Sequence, residues 1–133
     1  MYANDKFSQW LGIQLVEIKK GEATLSMQIR SDMLNGFGIA HGGITYSLAD
    51  SALAFASNSG GHKSVSINTS IAHVESLKEG DTIVAKAVCE SDGNKIGHYR
   101  VEVRLTNNPE KIVAIFKGMV YKTAQEWLNL VSD

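Results

Sequence analysis

The chain has 133 residues, 44% of them hydrophobic and 20% charged, with a formal net charge of −1 when its four histidines are neutral. That length suits one domain spanning residues 1–133 with a real apolar core, and the balanced charge gives no bulk electrostatic case for nucleic acid or an anionic membrane. The start Met1-Tyr2-Ala3-Asn4-Asp5-Lys6 is not that of a secretory signal, and no stretch approaches the roughly 18 apolar residues of a membrane span, so a soluble cytoplasmic protein is expected.

In chain order, residues 7–11 read as a short helix ended by Gly12. A strand at 13–18 leads through the turn Lys19-Lys20-Gly21-Glu22 into Ala23, Leu25, Met27 and Ile29, which alternate with Thr24, Ser26 and Gln28. That alternation makes a half-buried strand, and the pair a hairpin. A helix follows at 42–59. Val65, Ile67, Thr69 and Ile71 then share one face of a strand, and residues 82–90 form another, holding the only cysteine, Cys89, as a small buried hydrophobe. Tyr99, Val101, Val103 and Leu105 alternate cleanly with polar neighbours, and 112–121 is the last long strand. Turns at Gly80-Asp81, Asp92-Gly93 and Asn107-Asn108 separate these runs, so strands adjacent in sequence are expected to pair antiparallel. A short amphipathic helix at 124–130 would close the chain. One helix for about six strands is an α+β pattern, and wrapping a curved antiparallel sheet around that helix is the simplest way to bury it.

Between residues 33 and 62 the only full formal charge is Asp50. A surface helix would carry several charges; this one carries Ala49, Ser51, Ala52, Ala54, Ala56 and Ser57, as a helix buried on most sides would. At about 100° per residue, Ile44, Leu48, Ala52 and Phe55 fall on one stripe, expected to face the sheet. Asp50 falls roughly opposite with Gly43, Tyr46, Ala54 and Ser57, facing a second subunit or a ligand cleft. An isolated buried carboxylate is costly, so Asp50 is either a hydrogen-bonded interface residue or a carboxylate whose basicity a dry cleft tunes. The segment before the helix, Asn35-Gly36-Phe37-Gly38-Ile39-Ala40-His41-Gly42-Gly43, is glycine-rich. Backbone N–H groups at such a helix start can hold an anion or a developing oxyanion, although a flexible glycine cap would look the same. The dinucleotide fingerprint, the P-loop, zinc-ligand spacing among His41, His62, His73 and His98, and the nucleophile elbow are all absent.

Met33-Leu34-Asn35-Gly36, then His41-Gly42-Gly43, then Ser47-Leu48-Ala49-Asp50 resembles the signature of the PaaI-type hotdog thioesterases, enzymes associated with phenylacetate breakdown, and the resemblance covers most of the chain. It implies the hotdog fold, a homo-oligomer (a dimer of dimers, hence a homotetramer) and active sites at the dimer interface. By matching position, Asp50 would be the general base or nucleophile and the Gly42 N–H would polarise the thioester carbonyl. Asn35 and His41 would come from the facing subunit's loop, and Gly43, Phe37, Thr69 and Ser70 would contact substrate. The implied substrate is a small acyl-CoA or acyl-carrier thioester, with no metal and no cofactor. Hydration or dehydration of an acyl thioester, or its non-catalytic binding, are the alternatives. One departure is visible: relatives usually carry aromatic-x-Arg-Pro where this chain has His73-Val74-Glu75-Ser76, and Glu75 cannot replace an arginine that holds an anionic carrier.

Overall fold

The computed structural model describes residues 1–126. Its elements are α1 (Lys6–Trp10), β1 (Gln14–Lys19), β2 (Glu22–Gln28), α2 (Gly42–Ser57), β3 (His62–His73), β4 (Thr82–Asp92), β5 (Ile96–Leu105) and β6 (Asn108–Glu126), with 3-10 turns at Tyr2–Asn4 and Ser31–Met33. The six strands form one sheet in the order β1-β2-β4-β5-β6-β3, every neighbouring pair antiparallel. Helix α2 lies against the sheet and touches all six strands. This is the α+β hotdog arrangement, a curved antiparallel sheet around one long helix.

The period-two runs explain which face is covered. Ala23, Leu25, Met27, Ile83, Ala85, Ala87, Val101 and Val103 are buried beneath α2, while Arg100, Glu102 and Arg104 point to the outer face and pair with one another at 2.7–2.9 Å. Along α2, Leu48, Ala52 and Phe55 are buried as the stripe predicts, and Ile44 is half-buried. Thr45, Ala49, Ser51, Leu53, Ala56 and Ser57 are buried too. Small side chains nearly all round therefore do mark a helix enclosed on most sides. What stays uncovered is a narrow strip through Gly43, Ser47, Asp50 and Ala54.

Four expectations need correction. Strand β4 follows β3 in sequence but does not pair with it; β3 crosses the helix end to pair with β6 and becomes a sheet edge. A bulge at Ile67 shifts the β3 register, so Val65, opposite exposed Tyr121, lies on the outer face, while Thr69 and Ile71, opposite Gly118 and Phe116, lie on the helix side. These residues do not share one face. The central helix ends at Ser57, short of residue 59. Residues 124–126 continue β6, with Glu126 opposite His62, and the rest of the expected terminal helix, 127–130, lies outside the described residues.

Candidate active site

The glycine-rich segment is an ordered loop. Leu34 and Ala40 bridge antiparallel at its neck, and the Asn35 side-chain oxygen accepts from the Phe37 N–H at 2.9 Å and the Ile39 N–H at 3.4 Å. Asparagine suits that position because its side chain closes the turn on its own backbone. Gly38, at φ +80°, takes a conformation that L side chains rarely adopt. The Asn35 oxygen is spent on the loop, and its amide nitrogen makes no hydrogen bond among the described residues. Phe37 stands at the loop tip with 90% of its surface exposed.

His41 is the N-cap of α2. Its Nδ1 accepts from the Gly43 N–H at 3.1 Å, which leaves the proton on Nε2. The Ile44 N–H is bonded to the His41 carbonyl at 2.9 Å. The Gly42 N–H, next in line, has no acceptor among the described residues. It sits at the positive end of a sixteen-residue helix. Gly42 lines a cleft of about 260 Å³ together with Asn35, Ala40, Thr45, His73 and Glu75. Sequence reading singled out Asn35 and Gly42 and missed His73, whose signal was its place in the departure from the aromatic-x-Arg-Pro stretch. Glu75 is turned toward Lys111, 3.7 Å away.

Asp50 lies two turns further along the same helix, half-buried, and no donor or cation engages its carboxylate among the described residues. The hydrogen-bonded interface reading therefore finds no support within this chain. Burial pushes its pKa above the ordinary aspartate range, and the nearby Asp5 carboxylate pushes it further. Asp5 is held there by the N-terminal segment. It caps α1, accepting from the Ser8 N–H at 3.0 Å and the Ser8 hydroxyl at 2.7 Å, and the Ser8 oxygen lies 2.9 Å from the buried Ser51 hydroxyl beside Asp50. The Tyr2 ring packs at a tilt against Phe55, centroids 6.1 Å apart, and its hydroxyl donates to the Ile13 carbonyl. The Asp5-x-x-Ser8 spacing is an N-cap pattern; its neighbour on α2 was not legible.

The remaining candidates separate. The Thr69 hydroxyl meets the Tyr46 hydroxyl at 2.6 Å on the helix side of β3. Ser70, one residue on, points to the outer face opposite Lys117. Among the described residues no three His, Cys, Asp or Glu side chains gather as a metal site, and no helix is long and apolar enough to cross a membrane.

The family model described as Thioesterase superfamily matches residues 37–111. The chain is 36% identical over 122 residues to the Escherichia coli protein named acyl-coenzyme A thioesterase PaaI, covering 92% of this chain and 86% of that one. The solved structure of the E. coli PaaI protein from the phenylacetic acid degradation operon superposes with a TM-score of 0.91 at 34% identity, covering 95% of this chain and 90% of that one. A Streptococcus mutans protein solved bound to acetyl CoA superposes with a TM-score of 0.81 at 27% identity, covering 86% and 90% of the two chains.

Proposed function

The chain belongs to the thioesterase superfamily and is a PaaI-type hotdog thioester hydrolase, and on that premise we propose that it hydrolyses a small acyl-CoA, aryl or short- to medium-chain, at a site shared between two copies of itself. The observation that carries the reading is the spacing of its two reactive groups. Gly42 and Asp50 lie eight residues apart on one helix, about 12 Å along its axis at 1.5 Å per residue. A base and an oxyanion donor acting on one carbonyl must each come within roughly 3 Å of the reacting atoms. A single helix cannot satisfy both. A second copy, bringing its own Asp50 to this Gly42, can.

The uncovered strip through Gly43, Ser47 and Asp50 gives such a copy a surface to cover, and the unpaired edge of β3 gives it a strand to continue. We place the assembly as a homodimer, doubled into a dimer of dimers, in the cytoplasm. In each site Asp50 of one copy is the general base, its raised pKa suited to accepting a proton. It takes a proton from water as the water oxygen bonds to the thioester carbon, and the carbonyl oxygen, now negative, is held by the Gly42 N–H of the other copy. When the tetrahedral intermediate collapses, the carbon–sulfur bond breaks, the thiol leaves carrying the proton from Asp50, and the acid is released. Asn35 donates from the loop to substrate or water, and His41 holds the loop through Gly43. Phe37 and Thr69 line the acyl and pantetheine path, and Ser70 faces the joining copy.

Thiol release with phenylacetyl-CoA, acetyl-CoA, hexanoyl-CoA and palmitoyl-CoA tests the proposal. Turnover of at least one of the first three above palmitoyl-CoA is expected. No thiol release from any of the four would end the acyl-CoA reading.

A further inference from the structure

We infer that His73 is a second hydrogen-bond donor to the thioester carbonyl, working beside the Gly42 N–H; the inference rests on the proposed role of Gly42. His73 is the last residue of β3. Its register partner is the buried Ala114, so its side chain leaves the sheet on the helix side and reaches the first turn of α2. The ring points at Gly42 by its tip. A side chain on Gly42 would begin 3.2 Å from Nε2, 3.4 Å from Cε1 and 3.9 Å from Cδ2. Glycine at 42 is what leaves the imidazole room to stand there.

The two groups line the same cleft, and neither has a partner in it. The imidazole makes no hydrogen bond or ion pair among the described residues. The acceptors nearby are committed elsewhere: the Asn35 oxygen to its own loop and Glu75 to Lys111. An imidazole can carry its proton on Nε2, and in that tautomer His73 offers a donor next to the unpartnered Gly42 N–H. A carbonyl oxygen entering the cleft meets both. Two donors that meet where negative charge develops make an oxyanion hole. No proton leaves His73 in this role. The departure at His73-Val74-Glu75-Ser76 then has a chemical sense: a phenylalanine there could only pack on Gly42, whereas histidine packs and donates.

The test uses the assembled enzyme with whichever of phenylacetyl-CoA and acetyl-CoA turns over faster. His73→Phe keeps a ring against Gly42 and removes the donor; His73→Gln keeps an N–H donor and removes the ring. A kcat fall on the order of a hundredfold with little change in KM is expected for His73→Phe, and a smaller fall for His73→Gln. His73 is exposed, so both variants are expected to assemble, which sedimentation and melting temperature check. A spectroscopic arm reads the donor directly. In an Asp50→Asn background the bound thioester persists, and its carbonyl stretch in the infrared is expected at higher wavenumber when His73 is Phe than when it is His or Gln. Wild-type kcat in His73→Phe, equal losses in the two variants, or an unmoved carbonyl stretch would each overturn the inference. Gly42→Pro, which deletes the backbone donor, separates it from its premise: wild-type turnover there refutes the Gly42 role itself, whereas a crippled Gly42→Pro beside an unaffected His73→Phe refutes only this one.

Discussion

Asp50 is a carboxylate whose folded surroundings disfavour its charge. Burial and the Asp5 carboxylate both hold its proton more tightly than an unfolded chain would. The folded protein therefore binds more protons than the unfolded one in the window between the ordinary aspartate value and the raised one. Stability falls as pH climbs through that window and stays lowered above it. Asp50→Asn removes the penalty along with the base. It is expected to melt above wild type at pH 7, with the gap closing below about pH 4, while turnover falls by roughly a hundredfold or more. Calorimetry at the two pH values and thiol release on the same preparation check both halves, and near-normal turnover in an assembled Asp50→Asn protein would return the residue to a structural role. Asp5 offers a gentler handle. Asp5→Asn leaves Asp50 in place but lifts the neighbouring negative charge, so the acid limb of the kcat/KM profile is expected to move to lower pH. An unmoved limb would mean that Asp50 does not govern it.

At the scale of elements, close approach of helix and sheet depends on one small residue. A Cβ on Gly118 of β6 would come 2.5 Å from Leu53 Cδ2 and 3.1 Å from Leu53 Cδ1, and Leu53 is itself fully buried. Gly118→Ala must displace that side chain within a filled core, so a loss of about 1–3 kcal/mol is expected, read as a lower denaturant midpoint with an unchanged slope. An unchanged midpoint would show that the core has slack here. Such contacts explain what the sequence made legible. The hairpin, the buried helix and the alternation from Tyr99 to Leu105 follow from hydrophobic period, a local property, and so does the isolation of Asp50. The position of β3 beyond β6 is set by long-range pairing that leaves no mark in local period. The bulge at Ile67, which sends Val65 and Thr69 to opposite faces, is equally silent. The run from Ala124 reads as amphipathic helix, yet residues as far as Glu126 pair with the start of β3, where the Thr123 hydroxyl donates to the Lys63 carbonyl at 2.7 Å. Pairing outweighed propensity there. At the site, Asn35, His41, Gly42 and Asp50 stand out by type and spacing. Asp5 and His73 come to it from distant elements through tertiary contact alone.

For the whole molecule, the proposed chemistry needs two copies, because Gly42 and Asp50 of one copy stand eight residues apart on one helix. Exposed apolar side chains on β3, Val65 at 55% and Ile67 at 52%, lie along an edge with β6 on one side only, an arrangement that invites a partner. Stable, active monomer at micromolar concentration in sedimentation would contradict the shared site. A stronger test is complementation between two dead variants. Asp50→Asn lacks the base. Gly42→Pro lacks the donor, and proline is well tolerated at the first helical position, the more so after His41, whose extended backbone at φ −61° and ψ 136° is what a residue before proline adopts. Its ring has to move His73 by a few tenths of an ångström, because a Cβ at Gly42 stands 3.2 Å from the imidazole. In a mixed dimer, the intact Gly42 of the Asp50→Asn chain faces the intact Asp50 of the Gly42→Pro chain, so one of its two sites is whole. When equal amounts are unfolded together and reassembled, about half of the dimers are mixed and half of their sites are whole, so activity is expected to return to roughly a quarter of wild type by random pairing. Each variant reassembled alone stays at its own low residual activity, about a hundredth of wild type or less for Asp50→Asn. If base and donor served one thioester within one chain, no mixture of the two could recover activity, and a flat result with mixed dimers shown to form would place the site inside the protomer.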